Sequence, residues 1–579
     1  MDAGPIHTLL SETSEDEDIL PSDDEEAAEE DPCDLEEHDS VEQEAADIEE
    51  EEEEEVGEEE GEGDQSTSDK QQTRDHYIGR DGSTKWHKTP PDRSPKEDLQ
   101  VVEPSGPRGM AKEAESLVQM WKCFVTEEML DMIVTHTNQK IVERYGLDYQ
   151  NEITNKCEIV GVIGLLYLAG VFSSSRMKLE EFWADDGSGV EIFRAAMSLE
   201  RFRFLLQNLR FEDNAQAQSR KSVDKLASVR ALLNVFALNC VSNFSTGEAA
   251  TIDEVRESFR GRCSFKRFMY DKPVHYGFKV YALCDSRSYY IKNLDVVADS
   301  DVQAGNNAPE EIVKRLVTPI KGTGRTVIVE SSFASLSLAK TLLEEFNLRV
   351  VGNMSRKHPE IPAEFLDTKK RATLSSTVGY SGPMTLCSYL PENDTALLLL
   401  STRPRYSTET PEEPADVHCT LELINYYNNT NGCVDDIDEI CGKYSAARNC
   451  RSMPLTIFFA LLNVAGLNTQ VLHQEIYGET VVRRRFLKSL AIALVRDGSQ
   501  DRYSNFGLVN LDNGSQSRRL LMSGPEPAVK RLKTGATRCS FCPRSRDRKT
   551  HTYCSKCNRA ICKEHAESIC KECFVTKDN

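Results

Sequence analysis

The last 41 residues restrict the fold more than any other stretch: Cys539-x2-Cys542-x11-Cys554-x2-Cys557-x4-Cys562-x2-His565-x4-Cys570-x2-Cys573. A Cys-x2-Cys or Cys-x2-His turn lets two side chains reach one face of a tetrahedral Zn²⁺, so four such pairs can serve two ions. Only four residues separate the second pair from the third, and the third from the fourth. That is too few for two metal ribbons stacked in sequence. Interleaving suits the spacing better, with Cys539, Cys542, Cys562 and His565 at one zinc and Cys554, Cys557, Cys570 and Cys573 at the other. RING and PHD modules share this plan, so spacing leaves DNA, protein and ubiquitin machinery open as partners. Charge leans toward nucleic acid: residues 538–577 hold ten Lys or Arg against four Asp or Glu, the footprint a phosphate backbone selects.

The formal charge of −27 conceals a segregation. Residues 1–64 contain 32 Asp or Glu and no Lys or Arg, which leaves a net of +5 on the rest. Such a segment, with its run Glu49 to Glu55, buries too little apolar surface to fold. As a polyanion it can also compete with DNA for basic surface. Met1-Asp2-Ala3 opens into acid rather than a basic segment and an apolar core, so the expectation is a reducing compartment. The eleven Cys outside the terminal string then read as small buried hydrophobes. No apolar stretch reads as long enough to span a membrane, and Ile159 to Phe172, broken by glycines, reads as a buried core helix. Pro527-Ala-Val-Lys-Arg-Leu-Lys533 reads as a nuclear import signal.

Patterning divides the chain into an acidic disordered region (1–115), a helical segment (116–248), an α/β core (249–441) with a β-rich insertion at about 355–428, a second helical segment (442–500), a linker (501–536) and the cysteine-rich module (537–579). Strands are expected at Ala249 to Asp253, Gly277 to Cys284, Tyr289 to Asn293, Arg325 to Val329 and Leu348 to Gly352. Helices are expected at Glu310 to Leu316 and Ser337 to Phe346. Acids fall at the edges of these elements: Asp253 and Glu330 at strand ends, Asp435 and Asp438 at a helix start. Two-metal phosphoryl transfer needs carboxylates converging on ions about 3.5–4 Å apart. In a chain with 96 acids, such triplets alone are weak evidence.

The strings Met197-Ser-x-x-Arg-Phe202, Thr251-Ile-Asp-Glu254, Phe259-Arg-Gly-Arg-Cys263, Lys272-Pro-x-x-Tyr-Gly277, Tyr426-Tyr-Asn428 and Val434-Asp435-x-x-Asp438-x-x-Cys441 resemble the core of piggyBac-family transposases. The terminal string resembles that family's cross-brace DNA-binding domain at all eight ligands. The resemblance implies an α/β, RNase H-like core with a β-rich insertion, flanked by helical dimerisation and DNA-binding segments. It implies catalytic carboxylates Asp253, Glu330 and Asp435, with Asp438 as accessory, holding Mg²⁺ or Mn²⁺. It further implies a homodimer acting on double-stranded DNA with end repeats, cutting it and inserting at TTAA; the import signal sets the expected location as the nucleus.

The chain departs from the family at the second acid, where Asp-Asn-Trp/Tyr-Phe becomes Glu330-Ser331-Ser332-Phe333. The extra methylene keeps the charge but can displace a metal by up to about an ångström, which in positioned catalysis can cost on the order of a hundredfold. The family's basic stretch and Trp-Pro become Ala446-Ala-Arg448 and Met453-Pro454. These changes point to a domesticated, DNA-binding descendant with weakened cleavage. An active transposase inserting at TTAA and a RING- or PHD-like zinc factor are the alternatives, and the last leaves the acidic core unexplained.

Overall fold

The structure, a computed structural model, describes residues 75–91, 103–146, 153–172, 178–259, 276–298, 308–369, 371–391, 395–404, 415–448 and 450–505, with short stretches at 267–268, 537–538, 541–542, 546, 549–550 and 562–565. The acidic arm 1–74, the import signal and most of the Phe259–Cys263 and Lys272–Gly277 strings lie outside the described residues. Contacts divide the chain into two units, 1–507 and 508–579.

The first unit begins with helices α1 (Leu117–Lys122), α2 (Glu127–Tyr145), α3 (Lys156–Phe172), α4 (Leu199–Asn208) and α5 (Arg230–Asn243). Ser116 starts α1 through a capping box, its hydroxyl accepting from Gln119 N while the Gln119 side chain accepts from Ser116 N. In α3 every residue from Ile159 to Val171 is buried. Its glycines admit a later helix, α11 (Arg483–Asn505): a Cβ on Gly164 would lie 2.8 Å from Val495 N. The helix before α11 in the chain, α10 (Met453–Tyr477), is long and apolar enough to cross a membrane, contrary to the sequence expectation. Burial of 89% of its apolar window makes it a core helix instead.

Among the described residues, eleven strands form one mixed sheet. They include β1 (His76–Ile78), β2 (Lys85–His87), β3 (Ala249–Ser258), β4 (Tyr276–Asp285), β5 (Ile291–Val296), β6 (Thr326–Val329), β7 (Arg349–Asn353), β8 (Ser376–Ser381), β9 (Met384–Tyr389) and β10 (Leu397–Ser401). The order is β1-β2-β8-β9-β10-β7-β6-β3-β4, with β5 and the short strand Arg267–Phe268 also pairing with β4. At its centre β3, β6 and β7 run parallel, and every other pairing is antiparallel. All four residues of β6 are buried, as expected of a parallel strand covered on both faces. On one face, Ile252, Val327, Val329 and Val350 pack with α6 (Pro309–Val317) and α7 (Leu336–Glu344). On the other, Ile328, Val351 and Leu399 meet Ile424 and Tyr427 of α8 (Ala415–Asn431).

Two features differ from the patterning. Within the span read as a disordered arm, β1 and β2 form a hairpin that extends the sheet beyond β8, with Trp86 fully buried and its indole N–H donating to Glu360 O at 2.9 Å. Strands of three residues carry too little periodicity to be read from sequence. The strands of the β-rich insertion join the core sheet, because β10 pairs with β7. The insertion's end, 415–428, is helical rather than β-rich: Asn, Thr and Tyr are poor helix formers, and the helix is imposed by packing of Ile424 and Tyr427 on the sheet.

In the second unit a two-stranded ladder, Thr537–Arg538 with Lys549–Thr550, brackets the first Cys-x2-Cys, and a 3₁₀ turn spans Lys563–His565.

Candidate active site and metal positions

The last paired rung of the parallel strands β3 and β6 is Ile252–Val329, so the next residue on each strand is Asp253 and Glu330. Side chains alternate between sheet faces. Ile252 and Val329 belong to the face under α6 and α7, which turns Asp253 and Glu330 toward the α8 side. After Glu330 the chain turns sharply: Phe333 N and Ala334 N both donate to Glu330 O at 3.0 Å. This turn packs against β7 at Gly352, where a Cβ would come within 3.1 Å of Ala334 Cβ and 2.6 Å of Val329 Cγ2. Phe333 is buried, edge-on to Tyr281 at 5.6 Å, whereas Ser331 and Ser332 are exposed. The lost family Asn and aromatic therefore concern the outer surface of the turn, and its packing base is retained.

Asp435 comes from α9 (Cys433–Lys443), which packs on β3 and β4. Val434, Ile437 and Cys441 form its buried stripe. Asp435 is exposed in the first turn, and Asp438, one turn on and half-buried, follows on the same side. The first turn of a helix carries positive potential that favours an anion. The carboxyl of Asp253, only 6% exposed, is raised from 3.8 to about 7 by burial, with Glu330 and Asp435 pushing the same way. The Glu254 N–H, donating to Asp253 Oδ1 at 2.6 Å, opposes that rise.

The fold thus gathers Asp253, Glu330 and Asp435 into mutual electrostatic range, with Asp438 a turn farther along α9. Among the described residues no three acidic, His or Cys side chains are drawn together closely enough to hold a metal as they stand. Three carboxylates repel one another, and a cation is what would close them. Oxygen donors of this kind suit Mg²⁺ or Mn²⁺.

Neighbours that the sequence gave no role complete the site. Thr251, on the same face as Asp253 by alternation, donates its hydroxyl to Thr430 O at 2.6 Å and so ties β3 to the end of α8. Tyr427 is buried, which raises its phenol; its bond to Asn431 opposes the rise, and the Glu330 and Asp253 carboxylates add to it. The two-residue alternation could have flagged Thr251, but nothing local marks Tyr427 beyond its motif. Arg448, in the altered basic stretch, lies 5.9 Å from the Phe182 ring, and burial lowers its guanidinium to about 10.

In the second unit the thiols of Cys542 and Cys562, both buried, lie 3.7 Å apart. That is far beyond a disulfide of about 2.05 Å. It is close to the edge of a tetrahedron with metal–sulfur bonds of about 2.3 Å, which is about 3.8 Å. The interleaved reading puts both cysteines in one ligand set. Cys539, Cys554, Cys557, Cys570 and Cys573 lie outside the described residues.

The family described as Transposase IS4 matches residues 117–470, more than half of the chain. The chain is a piggyBac-type member of that transposase family. It is 27% identical to the piggyBac transposase in a cryo-EM structure of a synaptic complex with hairpin DNA, with a TM-score of 0.65 over 82% of this chain and 100% of that one. It is 23% identical over 373 residues to PiggyBac transposable element-derived protein 3 of Homo sapiens, covering 59% of each chain. To PiggyBac transposable element-derived protein 2 of Homo sapiens it is 26% identical over 178 residues, 30% of this chain and 28% of that protein. The match thus spans about three-fifths of the first of these relatives. Members of this transposase family work with a divalent metal at the catalytic site.

Proposed function

We propose that this chain is a piggyBac-derived, nuclear DNA-binding protein whose acidic site holds Mg²⁺ or Mn²⁺ through Asp253, Glu330 and Asp435, with Asp438 accessory, and whose strand cleavage and transfer are weakened. The observation that carries it is the register of β3 and β6, which puts Asp253 and Glu330 side by side beneath the acidic first turn of α9. Bound divalent metal would supply activation of a water or hydroxyl and stabilisation of the leaving oxygen. The chain's own part is positional. β3 and β6 fix two carboxylates, α9 brings a third, and Thr251 and Tyr427 pack the floor. Glu330 reaches from the place of a shorter acid.

The zinc tail serves as the DNA grip in this reading, with two zinc ions held by Cys539, Cys542, Cys562 and His565 and by Cys554, Cys557, Cys570 and Cys573. The 3.7 Å thiol pair supports it. So does the neighbouring piggyBac transposase, whose structure is a synaptic complex with DNA. By the same analogy the chain pairs as a homodimer on double-stranded, repeat-bearing ends. A fully active transposase inserting at TTAA is the second reading, favoured by the survival of an acid at every metal position.

The test is a mobility shift with a cleavage assay, using linear DNA that carries piggyBac-type terminal repeats flanked by TTAA, with Mn²⁺. Salt-dependent binding with slow nicking, abolished by Asp253→Asn, supports the proposal. Rapid hairpinning and excision would establish the second reading, and failure to bind DNA would sink both.

A further inference from the structure

The turn joining β4 to β5 is fixed at more points than a hairpin needs. Asp285, 1% exposed, accepts through Oδ1 from Arg287 N at 3.1 Å, Ser288 N at 2.7 Å and Ser288 Oγ at 2.8 Å. Its Oδ2 accepts from Gly247 N, just before β3. Ser286 Oγ lies 2.8 Å from Thr251 Oγ1. The single Thr251 hydroxyl proton goes to Thr430 O, so Ser286 is the donor in that pair. The turn thereby grips β3 two residues before Asp253.

Its far end grips α9. Tyr289 has φ 64°, in the left-handed region that a bulky side chain rarely enters. From there its hydroxyl donates to Asp436 Oδ2 at 3.1 Å, beside Asp435 in the first helical turn. The following Tyr290 is buried, stacks on Phe244 at 4.3 Å and donates to Cys240 O at 2.8 Å, which holds the backbone on the far side. Strained backbone kept by its surroundings clusters where geometry matters to function. One turn thus touches two of the three elements that carry the site's acids, through Thr251 on β3 and Asp436 on α9.

We propose that Tyr289 is a positioning residue: its bond to Asp436 sets where the first turn of α9, and so Asp435, stands against the end of β3. The inference rests on the metal reading given above. Tyr289 touches no reacting atom, and its effect runs through Asp435. Partners outside a metal's ligand shell commonly govern affinity by 10–100-fold, and this one lies at the edge of the site, so an effect on the order of tenfold is expected.

The experiment measures Mn²⁺ affinity of the full chain from the electron paramagnetic resonance signal of free Mn²⁺, alongside thermal unfolding. Tyr289→Phe keeps the ring and removes only the donor, and should weaken Mn²⁺ binding on the order of tenfold with little change in unfolding temperature. Asp436→Ala should do the same. Asp436→Asn loses the charge but keeps an acceptor oxygen, and should stay nearer the parent than Asp436→Ala, which separates the bond from the charge. The double variant Tyr289→Phe with Asp436→Ala should be no weaker than Asp436→Ala alone. If the parent binds Mn²⁺, Asp253→Asn loses it and Tyr289→Phe stays within about twofold of the parent, the inference fails and the metal reading stands. If the parent binds no Mn²⁺, or Asp253→Asn binds it equally well, both fall.

Discussion

Asp253 and Glu330 stand side by side, each one residue past the final rung, Ile252–Val329, of two parallel strands. This relationship is set by hydrogen-bond register and survives the replacement of the family's Asp by Glu. A shift of one residue in either strand would turn its acid to the opposite face, into the apolar layer of Val327, Val329 and Leu338. The packing of that layer therefore protects the geometry of the acids above it.

Metal binding at this pair should depend on pH in a defined direction. Asp253 is raised to about 7 when folded and must lose its proton to bind a cation. Below that value Mn²⁺ affinity should climb with pH by up to about tenfold per unit, one proton being released per site, and level off above it. Without metal the sign reverses for stability. The folded state holds the extra proton between 3.8 and about 7, so this group's contribution declines as pH rises through that window. Titration calorimetry at several pH values checks the first statement, and Asp253→Asn, which should lose Mn²⁺, should flatten the stability dependence.

The N-terminal hairpin should matter to stability although it is short. Trp86 is fully buried against the sheet and satisfies its indole N–H on Glu360 O. Trp86→Ala should cost about 3–5 kcal/mol. Urea unfolding of the full chain measures this; a loss under about 1 kcal/mol would mean that the hairpin contributes little.

Zinc stoichiometry separates interleaved from sequential ligand sets. With Cys542 and Cys562 at one ion, native mass spectrometry should find two Zn²⁺ in the parent and one in Cys542→Ser. The double variant Cys542→Ser with Cys562→Ser should also retain one. A double variant without any zinc, beside single variants with one each, would place the two cysteines at different ions.

Much of the core was readable because its signals are local. The run Val327-Ile328-Val329 is apolar and β-branched throughout, Asp285 to Ser288 is rich in turn formers, and Val434, Ile437 and Cys441 repeat at helical spacing. These expose the strand ends and helix start where the acids lie. Long-range facts were not readable. Nothing near Trp86 announces its partner Glu360, 274 residues away, and α8 is helical against its own propensities because the sheet beneath it is apolar. The Tyr289–Asp436 bond spans 147 residues and depends on a left-handed backbone at a tyrosine, which no local pattern specifies.

Single-turnover cleavage of repeat-bearing DNA tests the central claim most directly, comparing the parent with Glu330→Asp, Ser331→Asn and Ser332→Trp combined. Asp253 and Asp435 keep their positions in that variant, while the second acid regains the shorter reach of the family. Cleavage should rise on the order of a hundredfold, with DNA affinity unchanged. An unchanged cleavage rate would contradict the account by showing that the acid at position 330 is not what limits this site.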